Sequence, residues 1–268
     1  MTQRNARGRT VAVVQARLSS RRLPGKVLLP LEDRPMIVRQ LERVCRAQGL
    51  DEVVVATSTD TEDDAIVDAV NALGIRVVRG PLDDVLSRFF EAIEETKADV
   101  LVRLTADCPL ASPKVIDQIV QAFHSSQLDY LSNTLQPTYP DGLDVEVVTG
   151  EAIRKVATES DDAAEREHVT LGIYRRIDEF SLGNFVNPDG SDRSSLRWTV
   201  DNSADMEFVK QVYAELLPTN PEFDYPDILK VLDDYPHLQR TDRDSPRNAA
   251  LQGLDTGAMK QQSGGDVE

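Results

Sequence analysis

Residues 10–26 read TVAVVQARLSSRRLPGK, and this stretch decides the fold. Its opening, 10–16 (TVAVVQA), is a nearly continuous run of small and β-branched residues, the pattern of a strand buried on both faces. Directly behind it stand Arg17, Arg22 and Lys26, in a loop bent by Pro24-Gly25. In open α/β sheets ligands gather at the carboxyl ends of the strands, so a cationic turn at this point is expected to lie over a site. Separate cations and loop amides suit a polyphosphate, and Pro24-Gly25 can turn Lys26 back toward it. The loop is neither a Walker sequence nor a G-x-G-x-x-G turn, which argues against a P-loop NTPase or an NAD enzyme. The plain alternative is a solvated basic loop that balances an acidic surface.

Downstream, strand and helix signals alternate. The spacing predicts a helix over 36–48, a strand over 53–57, and a helix opened by a Thr59/Glu62 capping box and closed near Leu73 by Gly74. A strand at 75–78, a helix at 84–97 and a strand at 99–105 follow, and Ser112-Pro113 supplies a cap and first-turn proline for the next helix. This alternation predicts a three-layer α/β/α domain with a mostly parallel sheet. Beyond Tyr130 the rhythm changes. Residues 133–142 are loop-like, strands are expected at 143–148, 180–186 and 195–200, and helices at 150–159, 162–176, 203–216 and 225–234. One domain is read over 10–240, with 135–185 as an insertion. Residues 1–9 and 241–268 are polar and aperiodic, and are read as a flexible start and a disordered tail.

Composition narrows the function. The 268 residues carry a formal charge of −16, the reverse of a nucleic-acid binder's basic footprint. No apolar run approaches the length of a membrane span, and no signal-peptide pattern precedes the first strand, so a cytoplasmic protein is expected. Three histidines and two cysteines without metal-type spacing argue against a zinc site. Cys45 falls on a helix's apolar stripe and reads as a buried thiol, whereas Cys108 is notable only for its neighbour, Asp107.

That neighbour is one of two acids at strand ends. Asp107 follows 99–105 and Asp201 follows 195–200. If these strands lie side by side, the two carboxylates converge as a hard-oxygen site for Mg²⁺, with positions left for water and phosphate. The bland reading is that each caps the helix after it. Ala56, Thr57 and Ser58, closing the second strand, and Thr105, before Asp107, are candidates by location for the base pocket. Ordinary strand-end hydroxyls explain them as well.

The loop resembles the signature of cytidylyltransferases that activate acidic sugars, especially the spore-coat polysaccharide biosynthesis type. It is similar, more distantly, to 3-deoxy-manno-octulosonate and acylneuraminate cytidylyltransferases. The matching blocks are Gln15–Lys26, Val54–Ser58, Gly80 with Asp84–Arg88, Thr105–Pro109, Tyr139–Glu146, Arg166–Thr170 and Leu196–Asp201, in family order over about residues 10–235. The resemblance implies a Rossmann-like sheet of the nucleotide-diphospho-sugar transferase (GT-A) type, CTP as substrate, and Mg²⁺ on Asp107 and Asp201. It implies Arg17, Arg22 and Lys26 as catalytic cations, and Gln15, Ala16 and Ser20 as further nucleotide contacts. On the acceptor side it points to Tyr139, Asp141, Asp144, Glu146, Arg166 and His168. Arg166 is suited to an acceptor anion and His168 to orienting or deprotonating the attacking hydroxyl. A surface histidine and a solvated strand face holding Asp144 and Glu146 are the plainer readings. A homodimer formed through 135–185 is expected. Two other functions fit the same fold: a glycosyltransferase, disfavoured because no D-x-D occurs at Asp107-Cys108-Pro109, and a non-catalytic nucleotide sensor.

Overall fold

The computed structural model describes residues 8–20 and 22–241, together with Arg247, Leu254 and Thr256. The chain starts with β1 (Thr10–Gln15) and a 3-10 turn (Lys26–Leu28). A two-residue hairpin, β2 (Pro30–Leu31) and β3 (Arg34–Pro35), leads into α1 (Met36–Val44). Then come β4 (Glu52–Ser58), α2 (Asp64–Asn71), β5 (Arg76–Gly80), α3 (Val85–Thr96), β6 (Val100–Thr105) and α4 (Pro113–His124). The second half holds β7 (Tyr130–Ser132), β8 (Glu146–Thr149), α5 (Gly150–Glu159), α6 (Ala163–Glu167), α7 (Leu171–Tyr174), β9 (Leu182–Asn184), α8 (Ser203–Leu216) and α9 (Tyr225–Asp234).

The main sheet has seven strands in the order β5-β4-β1-β6-β8-β7-β9. Only β8 runs against its neighbours, pairing antiparallel with β6 and β7. The order β1, β4, β5 moves one way and β6 lies on the other side of β1, so the crevice between β1 and β6 is the topological switch point. In their register Gln15 stands opposite Thr105. Alternate residues of β1 feed two cores. Ala12 and Val14 pack with Ile37, Leu41, Ile116 and Ile119 of α1 and α4, whereas Val11 and Val13 pack with Phe89, Ile93 and Ile153 of α3 and α5. This is the expected three-layer architecture. Residues 135–185 do not form a separate unit: β8 and β9 extend the same sheet, and α5 packs on α3.

Several local expectations are corrected. No Thr59/Glu62 capping box forms: Asp60 precedes a 3-10 turn (Thr61–Asp63) without a side-chain cap. The helix expected at 162–176 breaks into α6 and α7. The strand expected from 143 begins at Glu146, because the Asn133 side chain takes the Leu143 carbonyl and the Val145 amide out of the ladder. Cys45 is exposed, not buried. At the ends, Arg9 donates its amide to Asp99 and pairs with Glu52. In the segment read as a disordered tail, Arg247 bonds the Tyr139 carbonyl at 3.0 Å and pairs with Asp144, and Thr256 is buried. Residues 1–7 and the rest of that tail lie outside the described residues.

Candidate active site

The cationic loop is a wound segment whose pivot is Leu18. The Leu18 carbonyl accepts from the amides of Ser20 (2.7 Å) and Gly25 (3.1 Å), and the Leu18 amide donates to Asp63 at 2.8 Å. Gly25 has φ 69° in open space, so glycine is needed there for its backbone conformation. Its turn delivers Lys26 into the crevice. The Lys26 ammonium, nearly buried, donates to Asp107 at 3.0 Å, Asp201 at 3.1 Å and the Val200 carbonyl at 2.7 Å. All three of its protons are used. Burial alone would lower its pKa, but the two carboxylates hold it above its ordinary value. Arg22 reaches Asp201 at 2.8 Å and remains half exposed, while Arg17 points outward, 3.9 Å from Glu167.

Asp107 and Asp201 do converge, by a different route from the one expected. Residues 195–200 form no strand of the sheet. Their partners come from three places: Leu196 bridges Thr241, Arg197 bridges Asp141, and the Val200 amide donates to the Asp107 carbonyl at 2.8 Å. Neither acid is a helix cap. Asn202 caps α8 and Ser112 caps α4. Thr105 donates to Asp107 at 2.6 Å; burial pushes the Asp107 carboxyl up, but Lys26 and Thr105 bring it below its ordinary value. Two hard carboxylates already gathered on one ammonium fit Mg²⁺ chemistry. Among the described residues no group of three or more His, Cys, Asp or Glu side chains could hold a metal, so the remaining ligands would be water or substrate oxygens.

Two residues that the sequence reading missed hold this arrangement. Buried Arg197 pairs with Asp141 (2.9 Å), Asp201 (2.5 Å) and Asp205 (3.4 Å). Asp205 also accepts the Asp201 and Asn202 amides. Nothing in linear spacing tells Arg197 that its partner is Asp141. Gly142 (φ 110°) lies so close to this segment that a Cβ would sit 2.6 Å from the Trp198 carbonyl carbon. Trp198 itself is fully buried against Tyr225 and belongs to the core.

The base-pocket candidates are less open than their location suggests. Thr57 and Ser58 are buried and spend their hydroxyls on Asp63, at 3.1 and 2.5 Å. The Ala56 carbonyl takes the Ala16 amide at 2.9 Å. Gln15 and Thr105 remain at the crevice, and Gln15 accepts from Arg103 at 3.1 Å.

On the acceptor side the expectations divide. Tyr139 is buried and stacks on Phe185, Asp141 is held by Arg197, and Asp144 is partly buried against Arg247. Burial and Asp144 push the Asp141 carboxyl up, to about 7. Glu146 is not on a solvated face. Helices cover both sides of β8, and Glu146 is buried in an ion pair with Arg103 while accepting from Tyr130 (2.6 Å) and Thr170 (2.7 Å). Arg166 does not present a fork to a ligand: its Nε and Nη2 bind Asp84 at 2.8 and 2.7 Å, and its Nη1 binds the Ser160 carbonyl at 2.8 Å. It is a bracket between the start of α3 and the end of α5. His168 is partly buried; burial, with Arg103 and Arg17 nearby, lowers its pKa although Glu167 opposes. Cys108 is a buried thiol, and burial and Asp107 raise its pKa well above the ordinary thiol value.

A cationic loop facing an acid pair at the switch point of a mostly parallel sheet is the arrangement of an α/β protein with its ligand site at the strand ends. The cytidylyltransferase family model matches residues 11–219, and the chain belongs to that family. It is 32% identical over 206 residues to the spore coat polysaccharide biosynthesis protein SpsF of Bacillus subtilis, covering 75% of this chain and 85% of that one. It is 32% identical over 218 residues to a mitochondrial 3-deoxy-manno-octulosonate cytidylyltransferase of Arabidopsis thaliana, covering 80% of this chain and 68% of the relative. The fold matches a cytidylyltransferase structure from Leptospira borgpetersenii with TM-score 0.81 and 31% identity, over 86% of this chain and 96% of that one. The protein is a nucleotidyltransferase of the cytidylyltransferase family.

Proposed function

We propose that this chain transfers the cytidylyl group of CTP to an oxygen of an acidic, sugar-like acceptor, with Mg²⁺ on Asp107 and Asp201, and releases pyrophosphate. The observation that carries the reading is the junction of Asp107, Lys26 and Asp201 beneath the cationic loop. The names of the polysaccharide-biosynthesis and octulosonate relatives support an acidic sugar.

The acceptor oxygen attacks the α-phosphorus of CTP in line; the new O–P bond forms as the bond from the α-phosphorus to the bridging oxygen breaks. Pyrophosphate leaves with the electron pair. Arg17, Arg22 and Lys26 lie along the loop where this charge grows, and need not form a covalent intermediate. Bound to the two carboxylates, Mg²⁺ supplies neutralisation of the phosphate oxygens and orientation of the α-phosphorus. Gln15, Ala16, Ser20, Ala56 and Thr105 contribute backbone and side-chain groups to the nucleotide, while Thr57 and Ser58 shape its pocket through Asp63. His168, kept neutral by burial, accepts the proton of the attacking hydroxyl. Tyr139, Asp141 and Asp144 bound the acceptor side. The enzyme acts as a cytoplasmic homodimer; among the described residues no helix is long and apolar enough to cross a membrane.

Pyrophosphate release measured with four nucleoside triphosphates over a panel of acidic and neutral sugars tests this. Release with CTP and an acidic sugar is expected; release confined to neutral acceptors, or none with any pair, overturns it. Light scattering that finds only monomer removes the dimer.

A further inference from the structure

We infer that Asp63 is the positioning residue of the nucleotide loop: its carboxylate welds the carboxyl ends of β1 and β4 and so sets where Arg17, Ser20 and Lys26 stand. The inference rests on the reading of that loop as the CTP site.

Asp63 is 2% exposed and lies in the 3-10 turn before α2, close behind the end of β4. One carboxylate oxygen accepts the Leu18 amide at 2.8 Å. The other accepts the Ser58 hydroxyl at 2.5 Å, the Thr57 hydroxyl at 3.1 Å and the Ser58 amide at 3.2 Å. Four donors from two strand ends therefore converge on a single buried carboxylate, which forms no ion pair among the described residues. A buried acid is retained in its charged form only when donors replace its water, and here they do. Burial raises the Asp63 pKa, but these donors bring it below its ordinary value.

The consequence runs through Leu18. Its amide is fixed by Asp63, and its carbonyl in turn receives the Ser20 and Gly25 amides. Leu18 thus has both backbone groups engaged, one outward to Asp63 and one inward to the loop. Gly25 then starts the turn that places Lys26 on the acid pair. Removing the carboxylate releases the outer anchor while leaving every cation in the chain. A misplacement of cations by about 1 Å is enough to lose much of their effect on a transferring phosphoryl group. Asp63 touches no substrate in this scheme; it acts by holding residues that do.

The test uses the full chain with Mg²⁺ and CTP, without any acceptor. Calorimetry gives CTP affinity for wild type, Asp63→Ala and Asp63→Asn, and hydrogen exchange by mass spectrometry follows the peptide spanning 16–26. For Asp63→Ala we expect CTP binding weaker by about tenfold or more and faster exchange in that peptide. Asparagine keeps one acceptor for Leu18 but faces the Ser58 amide with a second donor, so Asp63→Asn should fall between alanine and wild type in both measurements. Should alanine prevent folding, the asparagine variant alone decides. A merely architectural role lowers the melting temperature and leaves both readouts within about twofold of wild type, which overturns the inference. Wild-type protein that binds no CTP overturns the proposed function instead, and the exchange of 16–26 still reports whether Asp63 anchors the loop.

Discussion

Asp107 and Asp201, distant in sequence, are joined through one ammonium: the Lys26 nitrogen lies 3.0 Å from the first and 3.1 Å from the second. The relationship makes each acid answerable for the position of Lys26, and in the proposed reaction for Mg²⁺ as well. Asp107→Asn and Asp201→Asn are each expected to cut pyrophosphate release by about a hundredfold or more, with turnover falling more than CTP affinity. Steady-state kinetics with CTP and the acceptor found active check this; activity within about threefold of wild type in either variant contradicts it.

Chelation gives an independent check on the same pair. Two carboxylates with no third ligand among the described residues should hold Mg²⁺ weakly when no substrate oxygens help. EDTA is expected to abolish pyrophosphate release, and added Mg²⁺ or Mn²⁺ to restore it, while the circular-dichroism melting curve stays unchanged. A large fall in melting temperature on chelation would instead mark a structural metal.

Glu146 and Arg103 form a buried pair that also organises Gln15, Tyr130 and Thr170. Glu146→Ala strands the guanidinium and should destabilise the fold by about 3–5 kcal/mol. Denaturant melts of this variant beside Arg103→Met and the double variant measure the coupling; additive losses would show that the pair contributes nothing as a pair.

The same carboxylate sets a pH response. Burial raises the Glu146 pKa, but Arg103, Tyr130 and Thr170 bring it below its ordinary 4.5. A folded-state value below the unfolded one contributes stability that is present above pH 4.5 and is lost as pH falls toward the depressed value. Wild-type melting temperature should therefore drop steeply below that pH, and Glu146→Gln, though less stable at neutral pH, should show a shallower acid limb. Parallel curves for the two proteins would assign the acid response to other groups.

Gly142 is the position where backbone geometry is least forgiving. With φ 110° and a Cβ position 2.6 Å from the Trp198 backbone, Gly142→Ala should cost about 2–4 kcal/mol and displace the segment that carries Arg197 and Asp201. Activity measured well below the variant's melting temperature should fall with it. Gly25→Ala meets no neighbour and should cost about 1 kcal/mol, so the contrast separates steric from conformational strain.

The layer architecture was legible because burial on both faces of β1 and the apolar stripes of α1, α3 and α4 are repeated locally, where side-chain period reports environment directly. Helices α5, α8 and α9 matched their expected bounds for the same reason. The 195–200 segment did not. Its extended, apolar pattern is real, but its hydrogen bonds go to three distant segments, and pattern alone cannot distinguish that from a ladder. Among the candidate site residues, Lys26 was visible as charge in the loop behind β1, Asp107 as an acid past the end of β6, and Asp201 as an acid past an extended apolar run. The binding of Arg166 to Asp84, of Glu146 to Arg103 and of Thr57 and Ser58 to Asp63 was not.

What the chain determined alone was most of its secondary structure by periodicity, its sheet class by alternation, and a cluster of cations in the loop behind the first strand. Tertiary structure decided which charged groups remain available to a ligand. The reason is physical: a side chain's hydrogen-bonding capacity is finite, and whether it is spent inside the protein depends on partners that only folding brings within about 3 Å.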